Sequence, residues 1–265
     1  MTQQQPDPTG ALTAECDELD ELLAGLDDAQ WKLPTPAPGW TITHQVAHLT
    51  ATFRMAGLSA SDPDAFVALM KRLDQNFTVN VANALSEYLA DPPEVLFGRW
   101  QAERTAAVKA LASVPADQVV PWLVNPLPPS ILMMAGMMEA FAHGQDIADA
   151  LGVQRTRTDR IQFLVAFAVR TWDFGYLARD EPRPDVEFGF DLTAPSGAQW
   201  KFGPENASQR ISGPAEDFCL LVTRRRHPED LAITAVGPDA QHWTEIAQAY
   251  RGPAGEGRKP GQFAT

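Results

Sequence analysis

Cysteine is nearly absent from this chain. Only Cys16 and Cys219 occur, one in each half. Both lie in amphipathic stretches, which reads as two buried free thiols and not as a redox pair or nucleophile, and no cysteine-based zinc motif is present. Basic residues are also scarce, with 21 Lys and Arg against 34 Asp and Glu, a net charge of −13. Phosphate binding needs clustered Lys and Arg, so nucleic acid and anionic membrane surfaces are excluded as partners. No apolar run is long enough to span a bilayer. The opening MTQQQPDPTG is polar and lacks the apolar stretch of a secretory leader. The expected location is therefore cytoplasmic. Nucleophile elbow, phosphate loop and dinucleotide fingerprint are all missing.

What is present reads as helices first and strands later. Residues 1–9 read as a loose arm. Leu12, Leu19, Leu22 and Leu23 then recur at helical spacing. The proline-rich turn LPTPAPGW leads to Thr41 or Thr43 as N-cap of a second helix running to about Ser59. A capped start at SDPDAF, an irregular helical region to Leu89, and a long helix from DPPEVLFGRW to about Val114 follow. VPADQVVPWLVNPLPPS is apolar and proline-rich, more wall or lid than linker. Two further helices are expected, one ending near Leu151 and one from Asp159 to Arg179. After EPRPD the period changes. VEFGFDLTA alternates like a strand and PSG turns into AQWKFG, NASQRISG gives a third strand and DLAITAVG another, with PAEDFCLLVTRR and DAQHWTEIAQAY as helices. The fold class is thus α+β, an antiparallel helical bundle over residues 10–182 and a smaller α+β domain over 184–252. The tail 253–265 has the composition of disorder.

The chemical signal lies in two helices. One carries GWTITHQVAHL, with His44 and His48; the other carries MMEAFAHGQDIADALG, with Glu139 and His143 four residues apart. That spacing stacks Glu139 and His143 on one helical face. A carboxylate and imidazoles among Val46, Ala47, Leu49, Met137, Met138, Phe141 and Ala142 are costly to bury unless paired or metal-bound. One nitrogen from the first helix completes a His2Glu set with an open position, as catalytic zinc sites have. His48 is favoured over His44 because its neighbours are more apolar, leaving His44 near the pocket mouth or behind a ligand. Zinc suits these donors, and nickel, iron or manganese can use the same set. Gln145 and Asp146 are candidates to hold an imidazole N–H from behind.

These same residues carry a family resemblance. GWTITHQVAHL followed by MEAFAHGQDIADALG resembles the DinB-like metal-dependent thiol transferases, in particular the mycothiol-dependent maleylpyruvate isomerase branch. The match covers Gly39, Trp40, His48, Leu49, Glu139, His143 and Asp146. ISGPAEDFCLLVTRRR followed by LAITAVG is similar to that family's sterol-carrier-like C-terminal domain. The resemblance implies zinc held by His48, Glu139 and His143, with mycothiol as cosubstrate for S-transfer to, or isomerisation of, an electrophilic small molecule. The family often places an arginine within a turn before the ligand Glu, where this chain has Ala135, Gly136, Met137 and Met138. That departure argues against a small dicarboxylate and for a larger, less charged substrate.

Arg99, Arg104, Arg170 and Arg224 are candidates to bind a substrate carboxylate or the thiol, and Arg224 opens the only dense basic run, RRRH. Two other functional classes fit the same residues. One is a thiol-independent zinc Lewis-acid hydrolase, isomerase or cyclase of specialised metabolism; the other is a non-catalytic small-molecule-binding protein with a structural metal. The expected assembly is a monomer or homodimer.

Overall fold

The computed structural model describes residues 7–263. Residues 1–6 of the expected N-terminal arm, and 264–265 of the tail, lie outside them. By tertiary contacts the chain divides into two compact units, Met1–Arg155 and Thr156–Thr265.

The N-terminal unit is helical. Helix α1 (Pro8–Leu23) starts one residue before the expected arm ends: Asp7 caps the Thr9 N–H at 2.9 Å, and Pro8 occupies a first-turn position whose N–H would have no partner. After the short α2 (Asp28–Trp31), the proline turn folds back on itself. Thr35 donates its N–H to the Trp40 carbonyl at 2.8 Å, and Gly39 takes a φ of +78°, which glycine adopts without steric cost. That turn delivers Trp40 to the start of α3 (Ile42–Ser61), with Thr41 as N-cap. Helices α4 (Pro63–Met70) and α5 (Phe77–Ser86) are short, and α6 (Pro93–Ser113) and α7 (Pro129–Leu151) are long. Between α6 and α7 the proline-rich stretch forms a wall, pinned by a bridge between Val120 and Leu127 and by Trp122 stacked on Phe66.

Helix α3 packs on both α6 and α7, and α1 packs on α7 and α6. A Cβ at Gly57 would lie 3.1 Å from the Ala107 Cα, so α3 and α6 meet almost backbone to backbone. Trp100 is fully buried edge-on to Phe53, and its indole N–H donates to Asp20 of α1 at 2.7 Å. Beneath α7 lies a buried ion cluster. The Arg155 guanidinium reaches Glu15 at 2.7 Å and Glu18 at 2.6 Å, and its Nη1 lies where a Cβ on Gly144 would stand 2.6 Å away. Glycine at position 144 is thus what lets the clamp sit against the helix.

In the C-terminal unit the single helix expected over Asp159–Arg179 is broken. It opens as a 3-10 turn (Asp159–Ile161), continues as α8 (Gln162–Arg170), and resumes as α9 (Phe174–Leu177). Thr171 folds its hydroxyl onto the Phe167 carbonyl at 2.9 Å, and Gly175 receives the Ile246 carbonyl in close contact, which holds the chain out of register with a straight helix. Helix α8 packs on α10, so segment 156–182, expected with the bundle, belongs by its contacts to this unit. Strands β1 (Phe188–Thr193), β2 (Gln199–Phe202), β3 (Gln209–Pro214) and β4 (Thr234–Val236) form a sheet in the order β2-β1-β3-β4. β1 pairs antiparallel with β2 and parallel with β3, placing Phe190 between Phe202 and Ile211. Helices α10 (Ala215–Val222) and α11 (Pro238–Ile246) complete it. Phe190, Phe218 and Trp243 interlock at the core, with Phe218 and Trp243 stacked at 6.0 Å. The described part of the tail carries no helix or strand but is tied down. The Gly261 N–H donates to the Asp230 carboxylate at 2.8 Å, and the Arg226 guanidinium lies over the Phe263 ring.

Both cysteines are buried and outside any disulfide, and burial pushes the Cys16 thiol far above its usual range, as expected for an inert core thiol. Among the described residues no helix is long and apolar enough to cross a membrane.

Replacing Arg155 by Met leaves Glu15, which is fully buried, without its cation. Chemical denaturation is expected to show a loss of about 3–5 kcal/mol, with much of it recovered when Glu15→Leu is added.

Candidate metal centre

The site is built where the starts and middles of two helices face each other. At the N-terminus of α3, His44 is engaged locally: its Nδ1 accepts the Thr41 N–H at 3.3 Å and lies 2.8 Å from the Thr41 hydroxyl. This closes the helix start in the manner of a capping box. One turn on, His48 projects toward α7. Its Nε2 lies 3.4 Å from Oε2 of Glu139, and Nε2 of His143 lies 3.2 Å from the same oxygen. The three donor atoms fall within 4.8 Å of one another, the only group of three or more such side chains among the described residues that meets this spacing. The two imidazole rings are 4.5 Å apart, and Trp40 packs against both, stacking on His143 at 6.0 Å.

Hydrogen bonds behind His143 set which nitrogen carries its proton. Gln45 is fully buried, and its Oε1 lies 2.5 Å from His143 Nδ1. The Gln45 amide nitrogen donates to Thr35 Oγ1 at 2.8 Å and to Asp146 Oδ2 at 3.4 Å, and the Thr35 hydroxyl in turn donates to the Trp40 carbonyl at 2.9 Å. With both amide hydrogens engaged, only the carbonyl end of Gln45 is left for the imidazole. His143 therefore carries a proton on Nδ1, which leaves Nε2 facing Glu139 either as the lone pair of a neutral ring or as the second N–H of an imidazolium.

A lone pair and a carboxylate oxygen at 3.2 Å repel unless a positive centre joins them. A proton on Nε2 or a divalent cation can play that part. Two imidazole nitrogens and one carboxylate oxygen, converging from two rigid helices and still partly open to solvent, fit the cation with a coordination position to spare. Burial pushes the Glu139 carboxyl up, but the hydrogen bonds to His143 and His48 and their charges outweigh it. The carboxyl is held well below the usual carboxylate range and is ionised, as a ligand must be.

The other sequence candidates lie elsewhere. Asp146 connects to His143 through Gln45, a residue the sequence reading missed; Gln145 donates to Asp149 at 2.8 Å. Arg99 pairs with Asp91 at 3.2 Å and lies over Tyr88, and Arg104 pairs with Asp20 and Asp17 of α1. These two are structural cations of the bundle. Arg170 is exposed at the end of α8, and Arg224 follows α10, both in the C-terminal unit. Met133, Met137 and Met138 are buried core, and a Cβ at Gly136 would stand 3.3 Å from Leu12. An arginine at 136 has no room there.

Two substitutions separate the roles of neighbouring residues. Gln45→Leu is expected to weaken zinc binding about 10–100-fold in a competition titration with a chromophoric chelator, with the helix content unchanged. His44→Ala is expected to cost about 1 kcal/mol of stability through the lost cap and to leave zinc affinity within twofold of wild type.

The comparisons with known proteins agree with this architecture. The family model described as the mycothiol maleylpyruvate isomerase N-terminal domain matches residues 12–148, and one described as wyosine base formation matches residues 187–236. An uncharacterized protein of Mycobacterium tuberculosis, found in two strains, is 42% identical over 247 residues, covering 93% of this chain and 96% of its own length. Crystal structures of the mycothiol-dependent maleylpyruvate isomerase and of a histidine-to-alanine variant of it superpose with a TM-score of 0.53, covering 81% of this chain and 86% of theirs. At 12% identity that likeness is one of fold. The first family match spans more than half of the chain and includes both helices of the His48, Glu139 and His143 cluster. The chain therefore belongs to the family of the mycothiol maleylpyruvate isomerase N-terminal domain, within the DinB-like helical proteins.

Proposed function

We propose that this protein is a cytoplasmic zinc-dependent enzyme. It activates a low-molecular-weight thiol, mycothiol, for S-transfer to, or thiol-assisted isomerisation of, an electrophilic small molecule. The observation that carries this reading is one carboxylate oxygen of Glu139 held 3.2 and 3.4 Å from two imidazole nitrogens, with the other nitrogen of His143 set against the Gln45 carbonyl oxygen. A divalent cation held by His48, Glu139 and His143 supplies the Lewis acidity that lets a thiol ionise at neutral pH.

The protein's own groups divide the remaining work. Gln45 and Asp146 keep the His143 imidazole aimed, and Trp40 packs over both ligand rings. Buried Val46, Ala47, Met138 and Ala142 exclude water from the flanks of the ligands. The ionised sulfur adds to an electrophilic carbon. If the new C–S bond persists, and the displaced electron pair takes up a proton or departs with a leaving group, the product is an S-conjugate. If sulfur adds to a conjugated double bond, the carbon–carbon axis can rotate before sulfur leaves, and the thiol is regenerated. The family name and the solved relatives, both mycothiol-dependent maleylpyruvate isomerases, support the thiol and the second outcome. Ala135–Met138 bring no cation near Glu139, which favours an acceptor less charged than a small dicarboxylate.

The direct test is thiol ionisation. Zinc-loaded protein is expected to bind mycothiol with release of a proton near pH 7, seen as ultraviolet thiolate absorbance, where a free thiol with a pKa of about 8.5 is mostly protonated. His143→Ala is expected to lose the signal. Metal-loaded protein that binds no thiol but turns over an acceptor alone would favour direct Lewis-acid chemistry; no turnover of any kind, with ligand affinity untouched by His143→Ala, would point to a binding protein.

A further inference from the structure

The C-terminal unit holds a second group of cations, far from anything the metal ligands use in sequence. Helix α10 ends at Val222, and the chain reverses with the Arg225 N–H donating to the Leu220 carbonyl at 2.8 Å and the Arg224 N–H to the Leu221 carbonyl at 2.9 Å. This pair of bonds requires a left-handed backbone at residue 224, a position that glycine ordinarily fills. Arg224 takes it with a φ of +58°, and among the described residues Asp180 is the only other non-glycine with a positive φ. A bulky side chain thus stands where it strains the backbone, and residues strained in this way cluster at active sites, ligand clamps and switch regions.

Capping the helix is not what Arg224 does. Arg225 donates Nη1 to the carbonyl of the C-cap residue Thr223 at 2.6 Å, so the helix end already has a cation, and Arg226 donates Nη1 to the Arg225 carbonyl beyond it at 2.7 Å. The Arg224 guanidinium forms no ion pair among the described residues. Its one hydrogen bond is long, 3.5 Å to the Gly255 carbonyl, and its buried Nε has no acceptor. Nearby, Arg179 donates to the Gly175 and Ile246 carbonyls. Burial and then the charge of Arg224 hold Arg179 below its usual range, the mark of two cations crowded together. Arg224 lines a cavity of about 480 Å³ together with Arg226, His227 and Arg258. Glu229, Glu245 and Glu256 also border it, but they are exposed to water, whereas the cationic side chains are half-buried.

We infer that this cavity is a binding site for a small molecule bearing a carboxylate or phosphate, with Arg224 as the guanidinium that grips it. A guanidinium fork matches either oxyanion through two parallel N–H bonds, and the volume is that of an ordinary small-molecule site. The site stands independently of the metal centre and of the reaction proposed for it.

The test uses the full-length chain, with inorganic phosphate and malonate as probes and sodium chloride at matched ionic strength as the control. Calorimetric titration of wild type is expected to show binding of at least one probe, and the tighter of the two names the oxyanion class. Arg224→Gly is expected to bind that probe at least tenfold more weakly. Free of probe, the same variant is expected to melt about 2–4 °C above wild type, because glycine relieves the left-handed backbone. Arg224→Lys keeps the charge without the fork and is expected to bind more weakly than wild type with no gain in melting temperature. Three results would each overturn the inference: neither probe binds wild type; Arg224→Gly binds as wild type does; or Arg224→Gly melts lower than wild type, which would make the side chain a strut for the tail at Gly255.

Discussion

A single carboxylate oxygen, approached by two imidazole nitrogens from different helices, is the constraint around which the N-terminal unit is arranged. Placing an ionised Glu139 inside a bundle is costly unless positive charge meets it. His143 meets it from the next turn of α7, and His48 can meet it only if α3 and α7 are held at a fixed spacing and rotation. The surrounding structure serves that requirement. Glycine at 57 lets α3 come against α6, glycine at 144 admits the Arg155 clamp behind α7, and the proline turn sets Trp40 over both imidazoles.

The polar relay from Asp146 through Gln45 to His143 adds direction to this spacing. Imidazole has two nitrogens, and a ligand is useful only if the one facing the metal carries no proton. Gln45 turns its carbonyl to His143 Nδ1 because its amide nitrogen is engaged by Thr35 and Asp146, and this leaves Nε2 on the Glu139 side. Membership of the mycothiol maleylpyruvate isomerase N-terminal domain family places the whole arrangement in a lineage whose solved members share the fold at 12% identity. At that distance the reaction has to be argued from this chain's own groups.

Much of this was legible in the sequence, and the omissions have physical reasons. The Glu139 and His143 pair showed because i and i+4 share a helical face, and the strands showed in their period of two. The choice between His44 and His48 turns on a local bond: a Thr41–His44 cap takes His44 out of contention, and a histidine in the third position of a helix gives little sign of it. Gln45 was invisible because its partner His143 is 98 residues away. The break after Arg170 was hidden by an apolar pattern that runs on without pause; it comes from the Ile246 carbonyl reaching Gly175, a contact no local window contains. Arg99 and Arg104 were read as cleft candidates because charge alone does not reveal a partner. Asp20, which takes Arg104, belongs to a helix 84 residues earlier.

The central claim is that His48, Glu139 and His143 hold a metal ion, and elemental analysis by mass spectrometry tests it most directly. The comparison is between freshly purified wild type and the His48→Ala and Glu139→Ala variants, each checked for retained helical content. Wild type is expected to carry close to one zinc per chain, with both variants depleted while still folded. Wild-type protein that arrives without metal and takes up none on exposure to zinc would contradict the claim. The buried carboxylate and its two histidines would then be an ion cluster of the fold.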